Sequence, residues 1–381
     1  MAAMKKINPK LHSAVASAAL PLSHVRSRAK PWLELEDTKH EPPFSTLLEL
    51  DLEQSVRQAG GLIEEALVID GTAQFYTIMR GALQQVLFEE LPPQVAQRTH
   101  FRMSLTGITY SDTKQGIMCQ FQNGKVEGPF DLVVGCDGIK SSVKQFIERG
   151  SISPDTKGGA IYSGIRIQYA VMDGKPQEDA TPTSPKSTEL RQYFGDGAYA
   201  LVGTYGTGKN KSPARCAFVI FRDENYIGPF RRHSTSEKPT APSQVSENAD
   251  WTQDVRSSGD SKADFLARIQ HSGTPAGDII PIVDFADRFF ELGVYFHNPF
   301  CWGGWKRKVS PNRDRYCVLA GDAAHAMPPF LGQGANQAIQ DGNVIDFYVV
   351  SRETIASLIL MHKFVSLSLY LFCGKNDQRI A

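Results

Sequence analysis

Residues 316–342 read YCVLAGDAAHAMPPFLGQGANQAIQDG, and this stretch decides the fold. Tyr316 to Ala320 is a short apolar run of the kind that forms a buried strand. Gly321-Asp322 follows at the strand's carboxyl end, which is where ligands sit in open α/β sheets. Pro328-Pro329 then fixes an extended turn that cannot be helical. Gly332 and Gly334 flank Gln333, and from Ala335 and Asn336 onward the pattern turns helical, with Ala338, Ile339, Ile345 and Val349 on one side. A glycine-rich start to a helix leaves backbone N–H groups unpaired and places partial positive charge there. Such a site suits an anionic atom, with no side chain between backbone and ligand. Piece by piece, the same residues also read as an ordinary strand, turn and helix.

The ordered set is more specific than its parts. Gly321-Asp322, then AAHAMPP, then GQGAN, then a helix carrying Asp341 resembles the second flavin-binding motif of the FAD-dependent monooxygenases of the para-hydroxybenzoate hydroxylase type. The resemblance implies that Asp322 hydrogen-bonds the ribityl chain of FAD and that Pro328 lies near the isoalloxazine. It also implies that the amides around Gly332, Gln333 and Gly334 face the pyrimidine edge of the flavin. A second element agrees. DLVVGCDGIKSSVK, residues 131–144, resembles the same family's Asp-Gly motif, with Lys144 where arginine is usual. That places Asp137 and Gly138 near the flavin and the route of the nicotinamide. Arg80-Gly81-Ala82-Leu83 matches the family's R-x-x-L helix start, where the arginine approaches the flavin diphosphate; a plain surface arginine is the equal alternative.

Elsewhere the residues speak for themselves. At 381 residues the chain is long enough for two domains with substantial cores. Lys+Arg and Asp+Glu balance at 41 each, so no overall field points to nucleic acid or an anionic membrane. The six cysteines show no CxxC pair and no metal-like spacing, and read as reduced thiols of an intracellular protein. No metal ligand set stands out. The first 33 residues carry six basic and no acidic side chains, which leaves two readings: an organelle transit segment, or a basic helix of the domain with Leu11, Val15 and Ala18 inward. The location is therefore cytoplasmic or organellar.

Residues 34–70 give no assignable pattern. From Phe75 the spacing of Ile78, Met79, Ala82, Leu83, Val86 and Leu87 predicts a helix. Residues 116–135 predict a hairpin turning at Asn123-Gly124, and Ser141 or Ser142 should cap a helix through Phe146 and Ile147. From 159 to about 300 the rhythm is of strands, with polar stretches at 173–190 and 233–262 as surface loops. Tyr162, Arg166, Gln192, Tyr193 and Tyr205 offer polar side chains to a substrate and equally read as structural strand residues. Gly195 to Ala200 fits G-x-G-x-x-A, and Gly203 to Lys209 nearly spells a P-loop. A strand follows the first and Pro213 blocks the helix the second requires, so both are hairpin turns and nucleotide hydrolysis is rejected. Residues 265–309 read as a return toward the flavin domain, with Phe300 to Trp305 bordering the substrate opening. Ile355 to Cys373 is apolar, but Lys363 in its middle costs about 2.5–3.5 kcal/mol on insertion, so a packed or interfacial helix with peripheral membrane contact is expected rather than a span.

The resemblance covers roughly residues 70 to 350, and the family's first element is missing from it. Nothing before Arg80 supplies the strand, G-x-G-x-x-G and helix that hold the ADP half of FAD. The expectation is a chain beginning after that unit, binding FAD poorly and exposing apolar sheet surface that a partner chain would cover. The fold class implied is α/β: an incomplete Rossmann-like FAD-binding domain interrupted by a β-rich substrate domain. Residues 1–155 form its first half, 156–300 the substrate domain, 301–350 its second half and 351–381 a divergent apolar tail. The implied activity is an NAD(P)H-dependent monooxygenase that uses FAD to insert one oxygen atom from O2 into a small organic substrate, aromatic or isoprenoid. The alternatives are a flavin-free binding or regulatory remnant, or a halogenase or isoprenoid reductase of the same fold. No catalytic acid or base is assigned; His325 reads as packing against its own loop.

Overall fold

The structure, a computed structural model, describes residues 2–30, 45–153, 159–174, 188–223, 258–274, 276–298, 304–329 and 332–351. Two compact units emerge, each assembled from two separate stretches: 1–96 with 163–294, and 97–162 with 295–381.

The larger unit is built on an eight-stranded sheet. Its order is Arg288–Phe296, Ile161–Met172, Ala214–Arg222, Ala198–Tyr205, Thr188–Phe194, Leu20–Ala29 and Ser45–Asp51, with Tyr76–Thr77 pairing alongside Leu20–Ala29. The 188–222 segments pair antiparallel through short turns, as alternating β-branched and aromatic residues favour. Leu20–Ala29 breaks that pattern by running parallel to Thr188–Phe194. Helices Ser258–Ser272 and Ala276–Asp284 place Phe265, Ile269, Ile279, Ile282 and Val283 against Ala170, Tyr193, Ala200, Ala217 and Val219 to form the main core. Each fully buried large apolar side chain contributes about 1.5–3 kcal/mol of transfer free energy.

The smaller unit contains the hairpin strands Leu105–Ser111, Gly116–Phe121 and Val126–Phe130. Beside them is a three-stranded sheet in the order Lys306–Lys308, Tyr316–Leu319, Leu132–Gly135, whose last pair is parallel. Helix Ser142–Arg149 packs on it through Val143, Phe146 and Ile147 together with Cys317 and Leu319. Asn123-Gly124 makes the expected turn: Gly124 adopts φ +80° and the Lys125 N–H donates to the Asn123 Oδ1.

Several expectations change. The helix expected from Phe75 begins only at Arg80, because Tyr76 and Thr77 are captured as a sheet strand and Thr77 Oγ1 donates to the Thr204 carbonyl at 2.7 Å. Residues 258–262 open a helix rather than ending a loop, and residues 265–294 build the core of the larger unit instead of returning to the flavin side. The compact units divide the chain after 96, 162 and 294, whereas the sequence reading divides it after 155 and 300. Residues 1–96 group with the large sheet because they supply its strands 20–29, from the stretch read as a transit segment or a basic helix, and 45–51, from the unassigned one. Both motif decoys are turns: Gly195 to Gly197 joins two antiparallel strands, and Gly206 to Gly208 lies between the next pair. Most of the two polar stretches, Phe300 to Gly303 and the tail from 352 lie outside the described residues. Among the described residues no helix is long and apolar enough to cross a membrane.

Candidate functional site

The site grows from the parallel strands Leu132–Gly135 and Tyr316–Leu319, whose carboxyl ends lie side by side. The Ala320 N–H donates to the Gly135 carbonyl at 2.9 Å. Close approach is possible because Gly135 has no side chain: a Cβ there would lie 2.6 Å from that of Val143 and 3.0 Å from Leu319. Each strand then delivers one of the two sequence motifs.

The first strand leads into Cys136-Asp137-Gly138. The Asp137 carboxylate accepts from Ser141 Oγ at 2.5 Å, the Ser142 N–H at 2.7 Å and the Val143 N–H at 3.2 Å. Ser141 itself accepts from the Lys144 N–H at 2.8 Å, making it the cap of helix Ser142–Arg149. Negative charge at a helix N-terminus is favourable, so this carboxylate is already engaged in holding the loop. What the motif presents outward is the backbone around Gly138, at φ +78°. Lys144, in the position where the family has arginine, is buried and pairs with Glu148 at 3.0 Å.

The second strand leads into Gly321-Asp322. Gly321 is at φ +59°, and its N–H donates to Asp341 Oδ2 at 2.6 Å. The same carboxylate oxygen meets His325 Nε2 at 2.7 Å, and Asp341 is buried. Because an ionised carboxylate only accepts, Nε2 carries the hydrogen of that bond. The Trp305 ring meets His325 edge-on, with centroids 6.1 Å apart. His325 is thus tied to the long helix by a side-chain bond as well as by packing. Ala323 and Ala324 turn into the core, which leaves Asp322 exposed with no hydrogen bond on its carboxylate among the described residues.

Helix Gly334–Ser351 starts beside that free carboxylate: a Cβ on Gly334 would have Asp322 Oδ1 as its nearest neighbour, 3.8 Å away. Gly332 takes φ +59° just before it, with open space where a side chain would stand. Ala335 and Asn336 are exposed, Gln333 and Pro328 half-buried. On this helix Gln337 and Asp341 are buried, Ile339 and Ile345 are half-buried and Ala338 is exposed. Asp137, Gly138, Gly321, Asp322, Pro328, Gly332, Gln333, Gly334, Ala335 and Asn336 therefore fall in one unit, and Arg80 in the other.

The residues offered to a substrate are engaged structurally. Tyr193 is buried with its hydroxyl donating to Asp278, Arg166 pairs with Glu291, and Gln192 accepts from Ser27 at 2.5 Å. Tyr205 packs edge-on to Phe218, and Tyr162 packs against Tyr295. One residue the sequence reading passed over does touch the site. His297, immediately after strand Arg288–Phe296, donates from Nε2 to the Ile139 carbonyl at 2.9 Å. Burial lowers its pKa, with Lys144 acting the same way, against the Ile139 bond and the charges of Glu148 and Asp322. It follows no helical or strand periodicity, so only its place before Asn298-Pro299 marked it as lying near a turn.

Comparison with known proteins agrees with this geometry. Residues 296–345 match the family described as FAD binding domain. Over 273 residues the chain is 26% identical to a 3-amino-4-hydroxybenzoate 2-monooxygenase of Streptomyces platensis, covering 72% of this chain and 54% of that protein. It is 26% identical to kynurenine 3-monooxygenase of Saccharomyces cerevisiae, covering 71% and 50%. The structure of Klebsiella pneumoniae HpxO complexed with FAD and uric acid superimposes with a TM-score of 0.59 at 14% identity, over 94% of this chain and 71% of that one. This chain carries the fold of the FAD-dependent monooxygenases. The 2,6-dihydroxypyridine-3-hydroxylase of Arthrobacter nicotinovorans shares that monooxygenase fold, with a TM-score of 0.56 at 13% identity over 96% and 76%. The chain spans about half the length of the curated monooxygenases it matches.

The residues present fit the ring and ribityl half of FAD. A free carboxylate, an uncovered glycine and the N-terminus of an 18-residue helix meet at the carboxyl ends of two parallel strands. The diphosphate half has no counterpart glycine-rich turn in this sequence ahead of Arg80.

Proposed function

We propose that this chain acts in FAD-dependent monooxygenation, taking electrons from NAD(P)H and transferring one oxygen atom from O2 to a small aromatic or isoprenoid substrate. The observation that carries the reading is the unbonded Asp322 carboxylate beside Gly334 at the start of the long helix. Bound FAD supplies the redox and oxygen-transfer chemistry. The protein's share is orientation and electrostatics. Asp322 would accept hydrogen bonds from ribityl hydroxyls, and Gly138 and Gly332 would let backbone approach the ring. The first amides of helix Gly334–Ser351 would stabilise negative charge on the flavin, as an oxyanion hole does, and Pro328 would border the ring. The reading also carries an intracellular location, which the free thiols among the described residues support: Cys119, Cys216 and Cys317 are buried and Cys136 is exposed.

Titration of FAD, FMN and riboflavin into the chain, followed by flavin fluorescence, tests this. The residues identified contact only the part common to all three, so the affinities should agree within about tenfold, a difference of 1.4 kcal/mol. Asp322→Ala should weaken all three by about 1.5–3 kcal/mol, the worth of a hydrogen bond to a charged group. NAD(P)H oxidation with O2 uptake should accompany FAD binding. No saturable binding of any flavin would refute the reading and favour the flavin-free alternative.

A further inference from the structure

His297 makes one hydrogen bond to each of the two motif loops. Its backbone N–H donates to the Ala326 carbonyl at 3.0 Å, between the Asp322 turn and Pro328. Its ring Nε2 donates to the Ile139 carbonyl at 2.9 Å, immediately after Gly138. A carbonyl oxygen only accepts, so Nε2 bears hydrogen. The other ring nitrogen, Nδ1, is buried and has no hydrogen-bond partner among the described residues. An imidazolium would leave a charged N–H unsatisfied there, at a cost far above that of a bare lone pair. The ring is therefore neutral, with its single hydrogen on Nε2. The charged groups facing it are Lys144 and Glu148 from helix Ser142–Arg149, which pair with each other, and Asp322 from the second loop.

We propose that His297 is a positioning residue: a neutral strut that fixes the spacing between the Gly138 loop and the Asp322–Pro328 loop. At their bases the loops also meet through the Ala320–Gly135 backbone bond and through the packing of Ala323 and Ala324 with Val143. Asp137 is anchored to its own helix, and Gly321 and His325 are anchored to Asp341 on the long helix. Beyond those bases, His297 bonds both loops at once, at Ile139 and at Ala326. The role in flavin binding rests on the function proposed above; the strut itself does not.

The test separates the two. In the intact chain, amide hydrogen exchange is followed at residues 137–140 and 321–327 in the parent, His297→Gln and His297→Phe. Gln can place an N–H donor where Nε2 stands, whereas Phe keeps the ring volume and removes the donor. The strut requires Phe to speed exchange in both loops together by about tenfold, the upper range for one lost hydrogen bond. Gln should restore most of the protection, and nitrogen-15 imidazole spectra of the parent should show an Nε2–H tautomer near neutral pH. Loosening of one loop only, equal behaviour of Gln and Phe, or a protonated or Nδ1–H ring would overturn the proposal. FAD titration of the same three proteins should follow the same order. If the parent binds no flavin, the functional reading falls and the exchange data still decide the strut.

Discussion

Replacing Asp341 should unfasten the candidate site before anything touches a ligand. One buried carboxylate oxygen takes two bonds, from the Gly321 N–H at 2.6 Å and from His325 Nε2 at 2.7 Å. Asp341→Ala deletes both, and Gly321 is itself buried, so its N–H is left without an acceptor. Two hydrogen bonds to a charged group, at about 1.5–3 kcal/mol each, set the loss at about 3–6 kcal/mol, overlapping the roughly 3–5 kcal/mol of breaking a buried pair. Against a typical stability of about 5–15 kcal/mol, that is a large fraction. Asp341→Asn is the discriminating control. An amide oxygen placed where Oδ2 stands keeps both acceptor roles and loses only the charge, so about 1–2 kcal/mol should go. Urea unfolding followed by circular dichroism, with the slope compared among the three proteins, measures both values. Equal losses for Ala and Asn, or an Ala loss under 1 kcal/mol, would show that this carboxylate does not hold the turn to the helix.

The other predictions are shorter. Gly334→Val should remove flavin binding while leaving the circular dichroism spectrum intact, because the nearest atom to its Cβ is 3.8 Å away; a yellow, flavin-replete variant contradicts the assignment. Gly135→Ala should destabilise by at least the 1–3 kcal/mol typical of overpacking, since its Cβ would lie 2.6 Å from Val143; unchanged thermal unfolding would refute the close strand–helix contact. Burial, with the Asp278 bond and charge next, pushes the Tyr193 phenol up to about 12, and burial alone does the same for Tyr199. A raised folded pKa favours the neutral phenol, so stability should be full below pH 10 and fall from there to pH 12. Tyr193→Phe should flatten that fall in an alkaline unfolding series.

What was legible in the sequence was local. The run Tyr316 to Leu319, the Gly-Asp step, the proline pair and the glycines before the long helix each declare a backbone state within a few residues. The same holds for Ser141 capping its helix. Strand Leu20–Ala29 was illegible because its ladder is completed by residues about 165 positions away, with Ser23 donating to the Thr188 carbonyl. The burial of Asp341 was illegible for a different reason: apolar spacing marks only the side with Ala338 and Ile339, whereas Asp341 is held inside by its bonds to Gly321 and His325. His297 shows no pattern at all: its importance lies in two carbonyls brought to it by distant parts of the chain.

The interleaving of the two units imposes an order on biosynthesis. Among the described residues, the partners of Leu20–Ala29 that are made early are the strands 45–51 and 76–77. Its parallel neighbour, Thr188–Phe194, follows about 165 residues later, roughly ten to thirty seconds at ordinary elongation rates. Throughout that interval one flank of the strand is an open template for other chains, and Leu47 and Leu48 on the neighbouring strand stay exposed even after folding. A fragment ending near residue 155 would make that interval permanent. The protein's vulnerability to aggregation should therefore be greatest while it is half made, and expression that slows between codons 96 and 188 should lower the soluble yield.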